Sequence, residues 1–313
     1  MTGGRRICLF LVLALCGTGS SAADALPKPE NLWDVPQLLE KPIEAEWGNQ
    51  QGLIREVYYD GAPLAGKPTR VFAYYAQPEG KGPFPAMLLI HGGGGKAFPE
   101  WAQLWAKRGY AALAMDTAGC GPGGTRLKHG GPEQSDEQKF REFTPENARD
   151  MWTYHAVTAA LRGHALLLSR PEVDKERIGV TGISWGGYLT CIVAGIDDRL
   201  KVAVPVYGCG FLNDNSAWLR NGLFSKQTPE IRQRLSDLFD PSRYLPGVKC
   251  PMLWVNGTND FAYPLDSYQK SYRVVTAPTT LSITIEMPHG HLWDQTPIVE
   301  AFADSVLKGG KPL

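Results

Sequence analysis

The sequence predicts an α/β protein built on a mostly parallel central sheet of about eight strands with helices on both faces. Two observations lead there. The apolar runs at 86–90, 111–115 and 202–207 are continuous rather than alternating, as expected of parallel strands covered on both sides. Between such runs lie segments with helix start and stop signals, and regular strand–helix alternation implies parallel strands joined by right-handed crossovers.

Composition agrees. The chain has 313 residues, 43% hydrophobic and 20% charged, enough for a sizeable core. Lys+Arg and Asp+Glu are both 32. No basic stripe suggests nucleic acid as a partner, and no acidic run suggests a disordered tail.

Residues 1–23 read as a secretory signal peptide: Arg5-Arg6, then a short apolar run to Cys16, then small residues up to Ala23. This predicts export to the periplasm or beyond. A bilayer span needs about 20 apolar residues, so stable membrane insertion is not expected. Lipoprotein anchoring at Cys16 is disfavoured because bulky Leu15 precedes it. Residues 24–50, rich in Pro, Glu and Trp without a clear period, form a lead-in. Residues 51–313 contain no repeat or linker and read as one domain.

Within that domain the expected strands are 53–59, 70–76, 86–90, 111–115, 178–181, 202–207, 252–255 and 281–286. A helix at 98–107 stops before Gly109. Thr144-Pro145-Glu146 combines a cap hydroxyl, a first-turn proline and an acid, and predicts one helix to about Ser169. Further helices are expected at 184–195, 229–239, 264–275 and 297–307. Residues 209–250 break the pattern after a strand, on the side where open α/β sheets bind ligands, and read as an excursion shaping the site. With the signal removed, Cys120, Cys191, Cys209 and Cys250 remain. Their wide spacing is unlike a metal site, and a large core needs no staples, so buried free thiols are the plain expectation.

The chemistry centres on Gly182-Ile183-Ser184-Trp185-Gly186. In a chain with 35 glycines, a G-x-S-x-G arises easily by chance. Here a strand precedes it and a helix follows, the context of a nucleophile on a sharp turn, with its hydroxyl above the carboxyl edge of the sheet. A serine nucleophile needs a base oriented by an acid. Asp260, in the turn after the 252–255 strand, is the expected acid. Asp266 lies on the next helix and is placed less well. The base comes from His289-Gly290-His291. With the last strand ending near Glu286, several loop residues are needed to reach the acid, which favours His291, with His289 as the alternative. A metal reading of His289, His291 and Asp294 lacks further ligands. His155 and His164 fall on a helix as packing or surface groups, and His129 has no assigned role.

Hydrolysis also requires donors for the developing oxyanion. The Trp185 N–H is one. The other is expected from His91-Gly92-Gly93-Gly94-Gly95, at Gly93 or Gly94. Gly95 is followed by Lys96-Ala97, without the Lys-Ser/Thr of a phosphate loop.

With these motifs the chain resembles the α/β-hydrolase superfamily, in particular its dienelactone-hydrolase-like and acetylxylan-esterase-like branch, and is also similar to prolyl oligopeptidase catalytic domains. The resemblance is carried by IHGGGG (90–95), RGYAALAMDTAG (108–119), PEVDKERIGVTGISWGG (171–187), DPSRYL (240–245), NGTNDFAYP (256–264) and HGH (289–291). It implies an α/β-hydrolase fold, a triad of Ser184, Asp260 and a C-terminal histidine, and no cofactor. Dienelactone hydrolases proper use cysteine where Ser184 stands, and prolyl oligopeptidases carry a large propeller ahead of the catalytic domain. The expected activity is that of an exported serine esterase releasing short acyl groups from a carbohydrate or small-molecule ester. An exported peptidase and an inactive binding protein are the alternatives. Trp185, Tyr207 and Trp293 are candidates to stack on sugar rings.

Overall fold

The computed structural model describes residues 32–291 and 297–313. The signal segment with Cys16, the start of the lead-in, Trp293 and Asp294 lie outside the described residues. The strands are β1 (Ala45–Gln51), β2 (Ile54–Asp60), β3 (Arg70–Ala76), β4 (Phe84–Ile90), β5 (Ala111–Met115), β6 (Val173–Ile183), β7 (Val202–Val206), β8 (Met252–Gly257) and β9 (Thr279–Thr284). The helices are α1 (Val35–Leu38), α2 (Pro99–Lys107), α3 (Asp136–Phe140), α4 (Trp152–Ser169), α5 (Trp185–Ile196), α6 (Ala217–Arg220), α7 (Pro229–Phe239), α8 (Leu265–Arg273) and α9 (Pro297–Leu307).

Among the described residues one sheet holds nine strands in the order β1-β2-β3-β5-β4-β6-β7-β8-β9. Pairing is antiparallel from β1 to β5 and parallel from β5 to β9. The chain leaves β4 toward β5 on one side and leaves β6 toward β7 on the other. The strand order therefore reverses between β4 and β6. Neighbouring loops diverge at such a switch point and open a crevice at the carboxyl ends of the strands. The loop after β4 is the glycine run, and the loop after β6 is the Ser184 turn.

Successive residues Met87 to Ile90 of β4 are all fully buried, so both faces of that strand are covered. Helices α4 and α5 pack on β4 and β6, α2 lies on β3 and β5, and α9 on β6 and β7.

Two expectations are corrected. The sheet has a ninth strand, β1, inside the segment expected to be an irregular lead-in. Its residues are half-exposed or exposed, and a bulge interrupts its register between Trp47 and Gln50. The pattern is therefore weak, and cross-strand contacts hold it: Trp47 packs edge-on against Tyr75 and lies under the Arg55 and Arg170 guanidinium groups. The expected single helix from Thr144 is two. A 3-10 turn over Pro145–Asp150 ends at extended Met151, and α4 starts afresh at Trp152. The cap at Thr144 is real, since its N–H donates to Asn147 Oδ1, but it opens the short element only.

Candidate active site

The turn between β6 and α5 is sharp and closely packed. Ser184 has φ 58° and ψ −118°, in the left-handed region that a non-glycine residue enters only at a cost of order 1–3 kcal/mol. Its N–H donates to Val206 O at 2.9 Å, and its carbonyl accepts the first helical bond from Tyr188 N–H at 2.9 Å. The flanking glycines are sterically required. A Cβ on Gly182 would lie 2.3 Å from Gly186 O, and one on Gly186 would lie 2.1 Å from Ile90 O. The crossing of β6, α5 and β4 is thus too close for side chains, and that closeness raises Ser184 above the sheet edge. The N–H groups of Trp185, Gly186 and Gly187 occupy the helix's unpaired first turn, where partial positive charge collects.

Asp260 stands in the turn after β8. Its Oδ1 accepts from the backbone N–H groups of Ala262 (2.8 Å) and Tyr263 (2.7 Å), and its side chain is fully buried. Its Oδ2 lies 2.6 Å from His289 Nδ1. The other ring nitrogen, His289 Nε2, lies 2.9 Å from Ser184 Oγ. With the acid holding the proton on Nδ1, Nε2 presents a lone pair to the serine hydroxyl.

The histidine that joins serine and acid is therefore His289, and the preference for His291 is corrected. The physical reason is where the last strand ends. It stops at Thr284, and the chain reverses at Glu286 with φ 52°, so four residues already separate His289 from the strand. Tyr207 fixes the arrival of that turn. Its hydroxyl donates to Pro288 O at 2.8 Å, and its ring stacks on His289 with centroids 4.4 Å apart. Burial pushes the Tyr207 phenol up to about 12, so it remains a neutral donor. Asp266 pairs instead with Asn215 Nδ2, away from the imidazole.

His291 has a different partner. Its Nε2 accepts from Gly92 N–H at 3.1 Å, at the start of the glycine loop. Gly93 lies against the Trp185 indole, where a Cβ would fall 2.9 Å from Cδ1, and Gly94 has φ 68°. The loop expected to supply the second oxyanion donor thus stands beside the serine turn.

The aromatic residues are arranged differently from the expectation. Trp185 is 4% exposed and Tyr207 fully buried, so neither offers a face to a sugar ring. The Trp185 indole sits in an aromatic nest with Trp218 (4.5 Å), Tyr188 (4.9 Å), Trp152 (5.6 Å) and Phe140 (5.9 Å). Trp218 comes from α6, so the residues between β7 and β8 pack directly on the helix that follows the serine. Lys139 Nζ lies 4.7 Å from the Trp185 ring and pairs with Asp136 at 3.0 Å, with burial lowering its pKa. The residue sequence reading missed is Phe261, next to the acid. It is 65% exposed, and its ring centroid is 4.9 Å from that of His289.

Other candidates lie elsewhere. His164 is buried against Asp197 at 2.8 Å, and burial lowers His155 to about 4. Cys191, Cys209 and Cys250 are buried free thiols, and Cys120 is a partly exposed one. Among the described residues no cluster of three His, Cys, Asp or Glu side chains is arranged to hold a metal, and no helix is long and apolar enough to cross a membrane.

The profile of the acetyl xylan esterase family (AXE1) matches residues 41–233, more than half of the chain. The chain belongs to the acetyl xylan esterase family. A second profile, of the PhoPQ-activated pathogenicity-related protein, matches residues 196–309. This acetyl xylan esterase family member is 25% identical over 236 residues to the acetyl esterase Axe7A of Xylanibacter ruminicola, spanning 68% of this chain and 51% of that protein. It spans about half the length, or less, of the curated relatives it matches. Among solved structures it resembles an acetyl xylan esterase from Paenibacillus sp. R4, with TM-score 0.72 and 22% identity, covering 90% of this chain and 96% of that one. An acylaminoacyl peptidase of Pyrococcus horikoshii superposes with TM-score 0.61 and 20% identity, over 87% of this chain and 43% of that one. These structural likenesses extend the α/β-hydrolase fold to nearly the whole family member.

Proposed function

We propose that this chain is a serine carboxyl-ester hydrolase that works through an acyl-enzyme and removes acetyl or similar short acyl groups from carbohydrate esters. The observation that carries the reading is the continuous contact from Asp260 through His289 to Ser184 Oγ, at 2.6 and 2.9 Å. Ser184 Oγ attacks the acyl carbonyl while His289 Nε2 takes its proton, and Asp260 holds the imidazolium that forms. The oxyanion meets the Trp185 N–H and a glycine N–H from Gly93 or Gly94. Collapse expels the sugar oxygen, which leaves with the proton from His289. Water, deprotonated by the same imidazole, then attacks the acyl-serine, releases the acid and restores Ser184.

The carbohydrate acetyl ester is supported by the family and by the acetyl esterase relatives. Phe261, exposed beside the imidazole, is the aromatic surface at the mouth that a sugar ring meets. Residues 1–23 we read as an export signal, which N-terminal sequencing of protein recovered outside the cytoplasm checks.

The test is a panel of acetylated xylan, p-nitrophenyl acetate and aminoacyl amides on wild type and Ser184→Ala. The reading expects turnover of the esters, far slower turnover of the amides, and a loss of about 10⁴-fold or more in the variant. Preference for the amides makes the protein a peptidase. No fluorophosphonate labelling, together with no effect of Ser184→Ala, makes it a binding protein.

A further inference from the structure

The base is His289, which leaves His291 without a part in proton transfer, yet its ring is tightly placed. It packs against Phe98 and Trp101, with centroids 5.2 and 5.8 Å away. Its Nε2 takes the Gly92 N–H at 3.1 Å. The carbonyl of the same Gly92 is 2.8 Å from His91 Nδ1 and accepts from Gly95 N–H at 3.1 Å. His91 is anchored in turn by Thr117 N–H, which donates to its Nε2 at 2.9 Å. The Gly92 residue is therefore clamped at both polar groups, one by each histidine, immediately before Gly93 and Gly94.

The clamp leaves no spare room. A Cβ on Gly92 would lie 3.1 Å from both His291 Nε2 and Ser184 Cβ, and one on Gly95 would lie 2.8 Å from His291 Nε2 and from His91 Nδ1. Gly95 is thus explained by the two imidazoles pressed against it, and Gly92 first by the Ile183 carbonyl, 2.8 Å from such a Cβ, and then by His291 and Ser184.

We infer that His291 is a positioning residue for the ester hydrolysis proposed above, on which this inference rests: its Nε2 holds Gly92 so that the following glycine N–H groups face the carbonyl bound at Ser184. Accepting at Nε2 requires a neutral ring with its proton on Nδ1. Burial, reinforced by His91 and His289 nearby, lowers the His291 pKa and keeps that form. A preorganised donor stabilises the transition state more than the bound ester, so its loss falls on kcat rather than KM.

The experiment compares His291→Phe, which keeps an aromatic ring but has no acceptor, with His291→Gln, whose Oε1 can take the Gly92 N–H. With p-nitrophenyl acetate, His291→Phe is expected to lose about 10- to 100-fold in kcat at nearly unchanged KM, short of the 10²–10³ of deleting an oxyanion donor outright. His291→Gln is expected to recover most of that loss. Wild-type kcat in His291→Phe, or equal losses in the two variants, overturns the inference while leaving the ester reading intact. Full activity in Ser184→Ala overturns the ester reading itself, and this inference with it. Should His291→Phe fail to fold, nitrogen NMR of histidine-labelled wild type decides: a proton on Nδ1 of His291 is the expected result, and a proton on Nε2 overturns it.

Discussion

His289 and His291 are separated by one glycine and reach the same crevice, yet their surroundings give them opposite characters. His289 has a carboxylate on one nitrogen and a hydroxyl on the other, so a proton arriving at Nε2 meets a charge partner already in place. His291 has aromatic rings around it, a backbone N–H on Nε2 and, among the described residues, two other imidazoles whose charge would act on it. A proton there would displace a hydrogen bond, and among the described residues no carboxylate pairs with the ring to compensate. On the function proposed above, what makes one of the two histidines the base is the pair of groups its nitrogens meet.

The largest expected effect that tests this contrast is His289→Ala, which should lower kcat for p-nitrophenyl acetate by about 10⁴- to 10⁶-fold, far beyond any His291 variant. Next is Asp260→Asn. It keeps the shape but cannot hold the proton on Nδ1 as a carboxylate does, and steady-state rates should fall by about 10⁴-fold. Smaller is a pH effect. The His291 pKa is lowered, chiefly by burial, so the doubly protonated ring is disfavoured and His291 is not expected to set the acid limb of the rate profile. The kcat/KM profile of His291→Gln should therefore have the same acid limb as wild type, and a displaced limb would mean that His291 titrates in the reaction. The smallest is Phe261→Ala. On acetylated xylan it should raise KM by roughly threefold to tenfold, the scale of one aromatic contact of about 1 kcal/mol, with little change on p-nitrophenyl acetate. An equal change on both substrates would place Phe261 in support of His289 rather than at a sugar surface.

The same contrast runs through what could be read from the sequence. The parallel strands and the serine turn are legible because each is specified locally. Continuous apolar runs mark β4, β5, β7 and β8, and Gly182 and Gly186 mark a turn that admits nothing larger. Asp260 is legible for a similar reason, since it directly follows a strand. The choice between His289 and His291 is not local. It depends on β9 ending at Thr284 and on Tyr207, far away in sequence, holding Pro288. Strand β1 was hidden because its pattern is broken by Gly48 and a bulge, and its stability comes from Tyr75 and two arginines on other strands and loops. For Trp185 the choice between a sugar-stacking surface and core packing is not local either, because the residues that cover it come from α3, α4 and α6.

The most direct measurement is the rate of fluorophosphonate labelling of Ser184 in His289→Ala and His291→Gln, side by side with wild type. The predicted result is labelling slowed by orders of magnitude in His289→Ala and close to the wild-type rate in His291→Gln. Rapid labelling of His289→Ala, with loss of labelling in His291→Gln, would contradict the assignment of the base.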